Sequence, residues 1–203
     1  RSDPTTGQRV NPFASYGTPK KGDFLYKDLN GDGVIDDNDK YAVGHGHAPR
    51  LTYGFSLGAE WNGFDFSCLF QGNAGLQVYW QDKFYMGYIN YGDVINKEIA
   101  EGAWREGRTN ATYPRLLTGL NTLNAQPSDF WVQNKSYLRL KNVQIGYKIP
   151  KKLLQKLDIS QLRLYTSLEN MLTFTSYKGI DPEISGTTYP TMKQITVGVN
   201  VVF

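Results

Sequence analysis

Apolar and small or polar positions alternate without a break of phase from Leu51 to Trp61. Leu51, Tyr53, Phe55, Leu57, Ala59 and Trp61 take one parity, and Thr52, Gly54, Ser56, Gly58 and Glu60 the other. Side chains alternate across a strand with period two, so the run predicts a strand with one oily face. Asn62-Gly63 follows. Asn-Gly between two alternating runs predicts a type I′ hairpin turn, because both positions need positive φ. Phe64, Phe66, Cys68 and Phe70 then mark the return strand. Each arm has about 9–11 residues, the length that crosses a bilayer when tilted.

Three more strands follow the same logic. In Tyr137 to Ile149, Leu138 and Leu140 share one parity, and Val143, Ile145, Tyr147 and Ile149 the other. The slip near Lys141-Asn142 predicts a bulge. Pro150 to Leu157 predicts one or two helical turns with proline near the start. The fourth strand begins near Gln161, with Leu162, Leu164 and Leu168 set against Arg163, Tyr165, Ser167 and Glu169. The fifth runs from Thr191 to Phe203. There Ile195, Val197, Val199, Val201 and Phe203 form an apolar face against Thr196, Gly198 and Asn200. An apolar outer face with a terminal aromatic suits a closing strand of an outer-membrane barrel. On its pattern alone, this run fits the buried last strand of a soluble sandwich equally well.

The connections separate the two. Asn62-Gly63 and Pro150 to Ser160 are short, whereas 73–134 and 173–190 are long. Short turns at one end and long loops at the other are the asymmetry of outer-membrane barrels, whose long loops lie outside the cell. The expected class is therefore all-β: the C-terminal antiparallel strands of a large transmembrane β-barrel. The expected divisions are an extracellular loop over 1–49, a transmembrane hairpin over 50–72, a long extracellular loop over 73–134, and the final transmembrane strands over 135–203. Five strands cannot close a barrel whose smallest form has about 8, so the rest must come from upstream or from another chain.

Composition agrees. The 203 residues include 14 Tyr, 10 Phe, 4 Trp and 21 Gly, which favours strands and turns. Mean hydropathy is −0.47, as expected when alternating strands average to a polar score. The net charge of +3 is scattered rather than gathered in a stripe, which argues against nucleic acid. The single Cys68 excludes an internal disulfide framework and cysteine-based metal sites. The chain starts at Arg1 without a signal segment, and the expectation is a C-terminal piece of something longer.

Asp28 to Asp39 has calcium-loop spacing. Oxygen ligands would come from Asp28, Asn30, Asp32, the Val34 carbonyl, Asp36 and Asp39, with Gly33 at the sharp turn and Ile35 as the apolar anchor. Asp39 stands at the twelfth position in place of Glu, one methylene shorter. The competing reading is an acidic turn, since Asn, Asp and Gly make turns without metal. Either way the role is structural.

The expectation is that the chain is not an enzyme. No nucleophile elbow or phosphate-binding glycine loop is present. Glu60, Glu169 and Asp181 share no context that would make them acid–base pairs. His45 and His47 lack a third zinc ligand. The loop after the hairpin holds Tyr79, Trp80, Phe84, Tyr85, Tyr88, Tyr91 and Trp104. Of these, Trp80, Tyr85, Tyr88 and Tyr91 are the candidate substrate-binding residues, because flat rings with polar edges stack on sugars or hold a peptide. A packing role within a large loop competes with that reading.

Several motifs in order resemble the late part of SusC/RagA-type TonB-dependent transporters. They are Gly22-Asp23, Tyr26 to Ile35, Gly44, Pro49 to Ser56, Ser136 to Tyr147, Glu169 to Phe174, Gly179-Ile180-Asp181-Pro182-Glu183, and the closing strand. The resemblance implies an outer-membrane barrel of about 22 strands with an internal plug. It further implies a SusD-like lid lipoprotein, energy delivered through TonB by the missing N-terminal part, and oligosaccharide or peptide cargo. The alternatives are a secreted β-rich calcium-binding adhesion module, a barrel enzyme and a passive porin.

Overall fold

The structure is a computed structural model describing residues 13, 16–44, 46, 48–79, 88–89, 95–118, 123–155, 158–184 and 188–203. The chain divides into two compact units. Unit 1 comprises Arg1–Gly44 and Tyr79–Val132, and unit 2 His45–Val78 and Gln133–Phe203. The strands are β1 (Leu51–Trp61), β2 (Phe64–Ala74), β3 (Gln77–Tyr79), β4 (Tyr88–Ile89), β5 (Leu117–Thr118), β6 (Val132–Asn134), β7 (Tyr137–Lys148), β8 (Gln161–Thr175) and β9 (Gln194–Val202). The helices are α1 (Lys97–Gly102) and α2 (Lys151–Leu154), with 3-10 turns at Asp37–Asp39 and Asp129–Trp131.

Unit 2 is built on one antiparallel sheet of order β1-β2-β7-β8-β9. Asn62 and Gly63 have φ of 48° and 88°, and the turn they make brings Trp61 opposite Phe64 and Leu51 opposite Ala74. The register continues this parity across the sheet. Phe66 faces Ile145 and Cys68 faces Val143. Ile145 faces Thr166 and Val143 faces Leu168. Thr166 faces Val197 and Leu168 faces Ile195.

The bulge lies where the slip predicts it. Leu69 pairs with Asn142 and Phe70 with Leu140, which leaves Lys141 as the extra residue. The disturbance reaches β8, where Asn170 and Met171 stand between the partners of Leu140 and Asn142, and Asn170 takes φ of 55°. The extra residue inverts parity. Leu138 and Leu140 therefore share a face with Val143, Ile145 and Tyr147, although simple alternation puts them on opposite sides.

Aromatic rings and glycines are matched on that face. Phe55 stacks on Phe70 at 4.9 Å between centroids, and Phe64 meets Tyr147 at 4.5 Å. Tyr53 lies over Gly72, where a Cβ would stand 2.6 Å from its ring. Its hydroxyl donates to the Tyr137 carbonyl at 3.1 Å.

Unit 1 has its own small core. Trp131, 1% exposed, is packed by Phe24, Tyr79 and Ala125. Phe130 sits against both Phe24 and Trp131 at 4.8 Å. Beside this core the Asp23 carboxylate, 2% exposed, receives Arg115 through Nε at 2.7 Å and Nη2 at 2.9 Å. Asn124 Nδ2 adds a third bond at 2.9 Å. The Phe24 amide donates to Asn124 Oδ1, and the Tyr26 hydroxyl to the Leu123 carbonyl, both at 2.8 Å. Residues 22–26 are thereby sewn to Arg115 and to 123–131. Burial pushes the Asp23 carboxyl up, but Arg115, the Lys20 amide and Asn124 outweigh it and hold the group below the usual range.

Two outcomes are expected. Gly72→Ala should crowd the Tyr137 backbone carbonyl as well as the Tyr53 ring and cost about 1–3 kcal/mol by overpacking, measured as urea unfolding of the sheet. Asp23→Ala should remove the carboxylate that both arms of Arg115 and the Asn124 amide bind, and cost unit 1 about 3–5 kcal/mol, measured by limited proteolysis within unit 1. Because the folded pKa is depressed, the stabilisation by Asp23 should be complete above its unfolded value of about 3.9. It should disappear as pH falls through the lower folded value. The Asp23→Ala variant should lack this acid limb.

Candidate functional site

The register turns the alternation of each strand into two continuous faces. One carries Leu57, Trp61, Phe66, Val143, Ile145, Leu164, Leu168 and the β9 residues Ile195, Val197, Val199 and Val201. It is widely exposed, with Val197 at 77%. An apolar surface of this breadth requires an apolar neighbour. Phe203 follows the last residue of β9 and is 87% exposed. No helix among the described residues is long and apolar enough to cross a membrane. Strands cross under a different rule, in which every backbone group pairs with a neighbouring strand.

The other face holds Ser56, Glu60, Asp65, Gln71, Arg139, Gln144, Arg163, Ser167, Glu169 and Asn200. Its charges are largely matched. Arg163 grips Asp65 with both arms, one bond measuring 2.8 Å. This pair lies across Gly146, where any Cβ would collide with both side chains. Arg163 also stands 5.2 Å from the Tyr165 ring centroid, and Tyr165 covers the place where a Gly198 Cβ would stand. Lys148 reaches Glu60 at 3.4 Å.

A second cluster forms at the far end from the hairpin turn. Arg139 Nη2 donates to Asp181 Oδ1 at 2.7 Å, Nη1 to Glu183 Oε2 at 2.8 Å, and Nε to Thr173 Oγ1 at 2.9 Å. Lys141 shares Glu183 Oε2 at 2.8 Å. Asp181 also accepts from the backbone amides of Glu183 at 2.8 Å and Thr191 at 3.0 Å. Burial pushes the Asp181 carboxyl up, and these donors together hold it below its usual range. Burial lowers the Lys135 ammonium, which donates to the Ile184 carbonyl. Asp181 was legible as an isolated carboxylate. Its partners were not, because Arg139 lies 42 residues away in sequence.

The candidate cargo residues are only partly placed. Trp80, Tyr85 and Tyr91 lie outside the described residues, as do His45 and His47. Tyr88 belongs to β4, which pairs in parallel with β5. Two other rings of the same loop are packing residues. Tyr79 lies against Trp131, and Trp104 fills the space where a Gly22 Cβ would stand.

The acidic loop is closed by its own side chains. Asp28 accepts from the Gly31 and Gly33 amides at 2.6 and 2.8 Å. Asp32 accepts from Val34, and Asp36 from Asn38. Asp39 accepts from Leu29 at 2.7 Å and from Asp36 at 2.9 Å. Among the described residues no group of three or more His, Cys, Asp or Glu side chains is gathered as a metal requires. Ile35 is buried as the anchor. With Tyr16, Tyr26, Asp36, Asp39 and Ser128 it borders a cleft of about 110 Å³. Burial and the Asp37 carboxylate, which accepts the Tyr16 hydroxyl at 2.9 Å, push that phenol up to about 12.

No family model matches the chain. It is 31% identical to TonB-dependent receptor P3 of Formosa agariphila over 203 residues, covering 92% of this chain and 20% of that protein. It is 27% identical to TonB-dependent receptor SusC of Bacteroides thetaiotaomicron over 192 residues, covering 88% of this chain and 17% of that protein. Among solved structures it resembles the RagAB peptide importer in its open-open state. The TM-score is 0.65 at 29% identity, with 84% of this chain and 19% of that chain covered. The chain thus spans about a fifth of the length of the curated relatives it matches. These relatives are receptors and importers rather than enzymes. The all-β class and the family expected from the motifs both hold, and over the residues it contains this chain belongs to the SusC/RagA-like TonB-dependent receptors.

Proposed function

We propose that this chain supplies the C-terminal strands of the barrel wall of an outer-membrane transporter. Its cargo is oligosaccharide or peptide, its lid a SusD-like surface lipoprotein, and its energy comes through TonB by way of the remainder of the protein. The observation that carries the reading is the two-faced sheet. One face is apolar across all five long strands, while the other is polar with most of its charges matched. Lipid against the first face and a water-filled lumen against the second satisfy both. A soluble sandwich would instead need a second sheet over the apolar side. Residues 1–49 and 73–134 are the extracellular loops in this reading, and Trp80, Tyr85, Tyr88 and Tyr91 remain its candidate cargo contacts. The SusC and RagAB relatives support a transporter with a partner lipoprotein.

A smaller proposal concerns residues 28–39. Their oxygen set has the count and hardness of a structural calcium site. Binding would require Asp28 and Asp39 to exchange backbone amides for the ion. If calcium binds, unit 1 should unfold at a higher temperature in millimolar Ca²⁺ than in EDTA. Identical unfolding would assign the loop to its own hydrogen bonds.

The orientation of β9 is tested directly in the full-length protein. Val199→Lys places a charge on the lipid face and should cost about 2–4 kcal/mol at the bilayer midplane. Surface levels of folded barrel should fall for Val199→Lys and hold for Asn200→Lys. Equal surface levels for both variants would refute the assignment of faces.

A further inference from the structure

The connection between β8 and β9 is fastened to the polar face of the sheet. Strand β8 runs to Thr175, but its last residue paired with β9 is Glu169, opposite Gln194. Residues 170–175 therefore stand above the top of β9, a step of about 20 Å at the usual strand rise. The returning chain must descend this step along one side of the wall. On the apolar side at that level Leu172 and Phe174 remain exposed.

On the polar side the chain is held at several points. Arg139, whose side chain is 4% exposed, binds Asp181 and Glu183. Lys141 binds Glu183 at 2.8 Å. The Lys135 ammonium meets the Ile184 carbonyl and stands 5.6 Å from the Tyr177 ring centroid. Where β8 passes the top of β9, Asn170 Nδ2 donates to the Met192 carbonyl at 3.0 Å, whichever face the strap lies on. Asp181 ties the two ends together by accepting the Thr191 amide.

We propose that residues 177–184 and 188–192 form a fixed inward strap that lines and narrows the transport passage, with Arg139 as the positioning residue that holds it. The inference rests on the barrel reading, in which the polar face is the lumen. The strap is wall, not free loop. A buried guanidinium with two carboxylates and a hydroxyl has all its arms engaged, and removing it leaves two carboxylates without their main cation. Ile180 of the strap is exposed.

The test uses the full-length transporter in its own membrane, with cysteine introduced by Ile180→Cys. Membrane-impermeant maleimides of small and bulky size probe it from outside the cell. In the parent the small reagent should label and the bulky one should not. Adding Arg139→Gln should raise labelling by the bulky reagent at least about tenfold, the scale of a lost buried ion pair, and Arg139→Lys should restore part of the protection. Cells carrying Arg139→Gln should also become more sensitive to a large hydrophilic antibiotic. Should Arg139→Gln fail to assemble, Glu183→Gln releases Lys141 and one arm of Arg139 while keeping Asp181 clamped, and should raise labelling by a smaller factor. Equal labelling by both reagents in the parent, or no change in the assembled variant, would overturn the strap. Failure of the barrel reading is distinguishable, because Val199→Lys and Asn200→Lys would then reach the surface alike.

Discussion

Backbone amides and carbonyls in hydrocarbon have no water to bond, and in the barrel-wall reading proposed above the rest of unit 2 depends on satisfying them. A strand in that setting must be paired along its length on both sides, which only a sheet that closes on itself achieves. The five long strands answer this with antiparallel ladders from β1 to β9, broken only at the bulge around Lys141. Side-chain parity is then not free. Once the ladders are fixed, each residue is committed to oil or to water, and one slip of register would expose a whole strand's apolar set to the wrong side. The aromatic pairs Phe55–Phe70 and Phe64–Tyr147 pin that register on the apolar face. The Asp65–Arg163 pair pins it on the polar face by reaching across β7 at Gly146.

The polar face carries a second constraint. Charges there are lodged against the wall, where half-buried groups cost desolvation unless they are paired. Glu60, Asp65 and the Asp181–Glu183 pair are each matched by a cation on another strand. A face lined this way is wettable without being strongly charged: it offers hydroxyls, amides and tyrosines more than isolated ions.

Much of this was legible in sequence because it is local. Period-two alternation fixed the faces of β1, β2 and β9, and Asn62-Gly63 fixed the hairpin, since both signals act within a few residues. The bulge was legible as a slip. That it inverts parity, and so returns Leu138 to the face of Ile145, shows only in the pairing with β2 and β8. The clusters around Asp23 and Arg139 were not legible. Asp23 meets Arg115 and Asn124 at separations of 92 and 101 residues, and no periodicity encodes such partners. Nor does an aromatic loop declare its purpose: Tyr79 and Trp104 serve the small core of unit 1 rather than a surface.

The bulge at Lys141 joins the fold to the strap. Arg139 and Ile145 are six residues apart, so strict alternation would place them on the same face. On the apolar face Arg139 would carry a charge cost, about 2–4 kcal/mol if that face meets hydrocarbon, and Ile145 on the polar face would interrupt the apolar surface. One extra residue between them resolves the conflict. It sends Arg139 to Asp181 on the polar side and Ile145 to the apolar side, opposite Phe66 and Thr166. The inserted Lys141 is itself used, binding the same Glu183 that Arg139 holds. A break in the pattern that reads as a defect of the strand is therefore the device that lets a single strand keep one apolar face along its length and still anchor a buried ion cluster at one end.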